Sequence, residues 1–191
     1  MTVNTRNILL IAMAIIVFSV LLLLVFSKKK AGHLEPEILS KTTAEGFVTE
    51  FIKVKLFYGS ESSPLLQPVY RELRVPEIRE ELYKKFCELL LAGSEGLLVP
   101  VPEGVQLHSV FYLPQAEMLV LDFNDRLISA FPSGTAAELE FIYFIVDNIC
   151  YNFKEIKKVK LLSGGNENRT LAGHIELEKA FFPDYSRLQG E

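Results

Sequence analysis

Two cysteines in 191 residues are too few for a disulfide scaffold, and neither Cys87 nor Cys150 has a metal-ligand partner at the right spacing. Both fall on expected helices among apolar neighbours, which suits buried small hydrophobes; a single Cys87–Cys150 disulfide stays open. Histidine is equally short of pattern. His33, His108 and His174 are scattered over separate segments with no cysteine or carboxylate at ligand spacing, so neither a metal nor another cofactor is expected. Positive charge is scarce as well: beyond Lys30 the chain carries sixteen Lys and Arg against all twenty-four Asp and Glu, a formal charge of −8. Such a surface repels phosphate backbones, so nucleic acid is not an expected partner. Catalytic motifs are missing too. Gly164-Gly165 is followed by neither a lysine nor a helix start, unlike a phosphate loop, and Ser133-Gly134 lacks the strand-to-helix elbow and the base of a nucleophilic serine. Asp122 and Asp125 lie at a strand exit, where turn hydrogen bonds are a commoner use than acid-base work. No enzyme is expected.

What is present starts with a stretch that lacks charge altogether. From Ile8 to Phe26 nineteen residues pass with Ser19 as the most polar side chain, close to the roughly 20 residues that cross a bilayer. A cleaved signal would be shorter and end in a small-x-small site, and a lipoprotein would carry a cysteine after the run. Lys28-Lys29-Lys30 instead resembles a stop at the interface, so the expectation is an uncleaved single-pass anchor over residues 1–30. Arg6 and the terminal amine against three lysines slightly favour a cytoplasmic C-terminal domain.

Residues 31–49 are polar, hold Gly32, Pro36 and Gly46, and are expected as a tether without a fold. Period-two alternation then predicts a strand over 51–58 and another over 69–75. Pro76 suits the first turn of a helix with a stripe of Ile78, Leu82, Phe86, Leu89 and Leu90, i,i+4 pairs Glu80–Lys84 and Glu81–Lys85, and Gly93 as its stop. Strands at 105–112 and 118–123 form a hairpin around Pro114-Gln115. A capping box, Thr135 to Glu138, opens a long helix with a stripe of Leu139, Ile142, Val146, Ile149 and Phe153. A strand at 160–162, a turn at 163–166 and an extended return over 171–177 complete the pattern. The order implies an α+β two-layer sandwich, a mixed sheet of five to six strands with both helices on one face, over residues 50–178, followed by a tail at 179–191.

Leu89-Leu90-Leu91-Ala92-Gly93, Val101 to Leu107, Val120-Leu121-Asp122-Phe123, Ser133-Gly134 with Glu138, Val159-Lys160-Leu161 and Leu171 to Ile175 together resemble the GerMN domain of sporulation and spore-germination proteins. The resemblance covers roughly 51–177. It implies an extracytoplasmic, membrane-tethered domain with no chemistry of its own, similar in topology to the ring-building modules of secretion and sporulation complexes, whose members act in envelope assembly. Charge counting and resemblance therefore disagree on the side the domain faces. Two departures stand out: Ser94 occupies the place of a usual proline, and an apolar run replaces a lipidated cysteine.

Spacing residues about 100° apart on the long helix puts Glu140, Phe144, Asp147, Asn148 and Tyr151 on one stripe opposite Ile142, Val146 and Ile149. Phe144 and Tyr151 are then expected to be exposed, a pair of anchors for an envelope protein or a second copy. The competing expectation is that Phe181, Phe182 and Tyr185 fold back over them. Gly173 and His174 beside the hairpin form a candidate pocket, although packing or a backbone bulge is the plainer use. Two functions follow: a non-enzymatic interaction or scaffold domain in a bacterial envelope complex, or a sensing module for a peptidoglycan-modifying enzyme, with cell-wall fragments as ligands.

Overall fold

A computed structural model of the chain describes residues 37–42, 48–131, 134–167 and 170–188. The anchor expected at 8–26 lies outside the described residues, as do His33 and Ser133; among the described residues no helix is long and apolar enough to cross a membrane. The elements run β1 (Glu37–Thr42), β2 (Val48–Ser60), β3 (Ser63–Arg74), α1 (Arg79–Ala92), β4 (Leu107–Leu113), β5 (Met118–Phe123), the one-turn α2 (Arg126–Ser129), α3 (Thr135–Asn152) and β6 (Lys158–Ser163). Short 3-10 turns at Pro114–Ala116 and Tyr185–Arg187 complete the list.

The α+β class is as expected, but the single mixed sheet is replaced by two of three strands each. The first, β1-β2-β3, is antiparallel throughout; the second, β4-β5-β6, joins an antiparallel pair to a parallel one. β1 falls inside the stretch expected to be an unfolded tether. It is a six-residue edge strand, too short to declare a period, and it forms because β2 offers it an open edge.

The reason the sheets stay separate lies on that same edge of β2. β1 reaches as far as Lys53, opposite Glu37. At Gly59 the backbone of Leu98 takes over, with N–H to O distances of 3.2 and 2.9 Å. Between them, where no strand lies, two asparagines of α3 act as rungs. The Asn152 carboxamide accepts the Lys55 N–H at 2.9 Å and donates to its carbonyl at 2.8 Å. Asn148 does the same for Phe57 at 2.7 and 2.9 Å. The geometry follows from two periods: four helical residues rise about 6 Å, two strand residues advance about 6.7 Å, and residues i and i+2 of a strand show their polar groups to the same edge. Each amide's second N–H closes back onto the helix, at Phe144 and Asn148 carbonyls 2.9 and 2.8 Å away. Edge of sheet and side of helix are thereby stitched without an unpaired polar group.

α3 touches β2 and β6, and α1 touches β3 and β4, so each helix spans both sheets. α3 is buried nearly all round, from Phe141 and Ile142 through Ile149 and Phe153, the pattern of an interior helix instead of one with a single apolar stripe. On α1, Tyr83, Phe86, Cys87 and Leu90 are buried. Tyr83 and Phe86 meet Phe153 edge-on, both at 4.9 Å between ring centres. α1 starts at Arg79, three residues after Pro76, and ends at Gly93, whose φ of 77° requires glycine. The Glu81–Lys85 pair forms at 2.9 Å. The segment expected to return extended over 171–177 is instead a tight bend, closed by Leu171 N–H to Ile175 O at 2.9 Å, with Leu171 and Leu177 buried at its ends.

Replacing either asparagine by leucine leaves a buried strand N–H and C=O unpaired, at roughly 1–3 kcal/mol for each group. Asn148→Leu and Asn152→Leu are each expected to lower unfolding free energy in urea by about 3 kcal/mol. A loss well under 1 kcal/mol would show that the rungs do not hold the edge.

Candidate functional site

The outer face of α3 is covered, and the expected exposure of Phe144 and Tyr151 is corrected. Phe144 is buried, its ring 5.8 Å from that of Tyr58. Tyr151 is half-buried between Phe57, at 4.7 Å edge-on, and Tyr185, at 6.2 Å. Asn148 serves the strand edge, and Asp147 is buried under the tail, where its Oδ1 accepts the Asp184 N–H at 2.8 Å. Glu140 alone of the five is exposed; it faces Arg187 at 3.8 Å. A helical wheel ranks faces against one another but cannot say that the face opposite the apolar stripe is covered too, here by the edge of β2 and by the tail side by side.

The tail covers the helix in a different way from the one expected. Tyr185 lies on Tyr151, but Phe181 pairs with Val159 on the free edge of β6 through backbone bonds of 2.9 and 2.8 Å. Phe182 remains exposed beside the Lys158 ammonium. Asp184 and Arg187, the polar contacts of the tail, were not among the residues singled out from the sequence. Their signal was an Asp-Tyr-Ser-Arg run after Pro183, a single aromatic set among three polar side chains.

Glu138 makes no capping box. Gly134 precedes the helix with no side-chain cap, and the Glu138 carboxylate turns into the core to hold the 171–177 bend. It takes His174 Nδ1 at 2.7 Å and the Ile175 N–H at 3.0 Å. Burial pushes this carboxyl up, but hydrogen bonds from His174, Ile175 and Ala172 and the His174 charge outweigh burial and hold it below the ordinary range. Gly173, at φ 109°, lets the bend present both donors. The candidate pocket at Gly173 and His174 is thus the rim of a structural corner. A groove of about 280 Å³ opens elsewhere, between Val99–Pro102, Phe131, Ala137 and Glu140.

Asp122 accepts the Gly165 N–H at 2.8 Å, the turn-forming use. His108 is exposed. Cys87 and Cys150 are buried free thiols, and burial pushes Cys150 up to about 12. Among the described residues no three His, Cys, Asp or Glu side chains cluster to hold a metal.

Asp147 and Glu138 impose opposite pH dependences. Burial first, opposed by the Asp184 N–H, raises the Asp147 carboxyl from 3.8 to about 7. The folded state then binds the proton more tightly, and stability falls as pH rises from about 4 to 7. Asp147→Asn, which keeps the acceptor, is expected to flatten that slope and to raise the melting temperature above pH 7. Glu138, held low, stabilises above its ordinary value and loses that contribution as pH falls through its folded one. Glu138→Gln is expected to cost stability at pH 7 and to lose less of the remainder on acidification. Melting curves from pH 3 to 8 check both; parallel curves for variant and parent would refute the assignment.

The family model described as Germane: Sporulation and spore germination matches residues 55–169. A search of curated proteins finds no match. Among solved structures, the tandem GerMN domains of the sporulation protein GerM from Bacillus subtilis superpose with a TM-score of 0.53 at 17% identity, over 73% of this chain and 48% of that one. The first GerMN domain of the same protein gives a TM-score of 0.44 at 14% identity, over 72% of this chain and 96% of that one. The matched span takes in both asparagine rungs, Glu138 and all of sheet two, and it exceeds half of the sequence: the chain belongs to the Germane family of sporulation and spore-germination domains.

Proposed function

We propose that the chain is a non-enzymatic interaction domain, held to a bacterial membrane by residues 8–26 and facing out of the cytoplasm, where it helps assemble an envelope complex. The observation that carries this reading is the use made of the polar groups on α3. Glu138, Asp147, Asn148 and Asn152 are all buried, and each is spent on the backbone of a distant segment. Groups that could perform chemistry act here as fasteners of a docking platform. The GerM likeness and family membership agree with a sporulation-related role. The contact surface is the rim of α3, with Glu140 exposed and Tyr151 half-buried beside it; Phe144, Asp147 and Asn148 support it from beneath.

A second reading, a sensor of peptidoglycan fragments for a wall-modifying enzyme, draws on the apolar groove beside Phe131. Cell-wall fragments would then raise the melting temperature, by mass action on the folded state.

The first test is a photo-crosslinker at position 140 in the full chain in its own cells. A discrete adduct that is absent when the probe sits at the exposed Glu61, and that disappears in Tyr151→Ser, is the expected result. Equal labelling from both positions would remove α3 from the interface. Phe144→Ala is unsuitable here, since emptying that buried site costs about 3–5 kcal/mol. Topology is read separately, from protease digestion of a C-terminal tag in intact cells: digestion is expected, and protection until the membrane is opened would overturn the extracytoplasmic assignment.

A further inference from the structure

Residues 183–188 cross the outer face of α3 through separate contacts, with 184–187 themselves exposed to solvent. The Asp184 N–H donates to Asp147 at 2.8 Å. Tyr185 meets Tyr151 at 6.2 Å between ring centres. Arg187 lies 3.8 Å from Glu140, both side chains about half exposed, a geometry worth little in water. Leu188 makes one isolated parallel bridge to Leu66 of β3. Immediately upstream the chain is held better, by the paired bonds of Phe181 to Val159. The segment therefore has a fixed end at Phe181 and an exposed span beyond it with no paired backbone ladder of its own, the profile of an element that opens locally before the rest of the fold.

We propose that residues 183–188 are a releasable strap over the α3 face, held shut while Asp147 carries a proton and loosened when it ionises. The inference rests on the reading of α3 as a docking face, whose access the strap would regulate. Asp147 is 1% exposed. From the tail it meets Asp184, Tyr185 and Arg187; from its own helix, Glu140, Tyr143 and Cys150. β2, β3 and the 100–102 loop bring Gly59, Leu66 and Pro100 to the same small pocket, and the buried Lys55 of β2 sets its ammonium 5.7 Å from the centre of the neighbouring Tyr151 ring. The Asp184 carboxylate opposes ionisation, while Arg187 and the Asp184 N–H favour it; burial decides, placing the group at about 7.

Lifting the strap returns water to the carboxyl and moves it toward its ordinary 3.8, so opening releases a proton. By linkage, opening is then favoured as pH rises toward 7 and no further above it. What the strap uncovers is specific: Tyr151, already edge-on to Phe57, and the ionised Asp147, with Glu140 freed from Arg187. Phe144 stays packed on Tyr58.

The test is hydrogen exchange of residues 184–187 in the full chain reconstituted in lipid nanodiscs from pH 5 to 8, corrected for intrinsic rates. Protection is expected to fall by up to about tenfold per pH unit toward pH 7 and then level. Asp147→Asn should hold protection high and constant, and Tyr185→Ala should lower it at every pH. Wild-type protection equal at pH 5 and 8, or an unchanged slope in Asp147→Asn, would overturn the strap. The chain ended at Pro183 separates the two readings. With a crosslinker at position 140, it should join a second copy or a cell partner at pH 5.5, where the intact chain does not. If exchange follows the expected course but the shortened chain gains no adduct, the strap stands and the docking role of α3 falls.

Discussion

The fold depends on two carboxamides. Asn148 and Asn152 supply the hydrogen bonds that a neighbouring strand would give to Lys55 and Phe57, and so allow a helix to stand where a strand would otherwise have to. With them, the edge of β2 passes from β1 to α3 to Leu98 without a break, and the second sheet is free to pack elsewhere. A buried backbone group must find a partner somewhere, and a carboxamide is the side chain that offers a donor and an acceptor in the same plane as a peptide. Aspartate would lack the donor and leucine would lack both.

The same helix fastens two other parts of the chain. Glu138 holds the 171–177 bend and Asp147 holds the tail, in each case across 37 residues, while the rungs reach back 91 and 97. α3 is therefore a hub whose polar groups join segments that are distant in sequence, and none of these bonds can form before the chain has largely collapsed. Contacts of this separation favour slow folding over fast. They also favour a single arrangement, because a slip by one residue in strand or helix would break several paired groups together.

Much of the fold was legible. Period-two alternation located β2 and β3, proline and glycine bounded α1, and β5 and the β6 turn fell where hydrophobicity and Gly-Gly placed them. The sheet count was not legible, because an asparagine in a helix reads as a wet residue until the strand it serves is known. The 100° spacing alone puts Asn148 on the outward stripe, and nothing local marks Asn152, one turn later, as its companion. Glu138 after Thr135 matched a local capping pattern, and a non-local pair of donors won instead: buried acceptors are worth more than a frayed helix end. The candidate site was half legible. The stripe of Glu140, Phe144, Asp147, Asn148 and Tyr151 does lie on one side of α3, and the idea of a covering tail was sound for Tyr185. Its polar fastenings, Asp184 and Arg187, depend on where the chain turns after Phe181, which no periodicity encodes.

β1 gives the asparagine rungs a mechanical meaning. Any pull on the chain ahead of Glu37 enters the domain at the Glu37–Lys53 pair, two residues from the Lys55–Asn152 rung. Load applied through the N-terminal segment is thus passed across one strand directly into the central helix, whose aromatic neighbours hold it on both sides. A pull from the N-terminal end would first load the bonds of this six-residue edge strand, which can part and re-form while the rungs on the same edge of β2 stay in place.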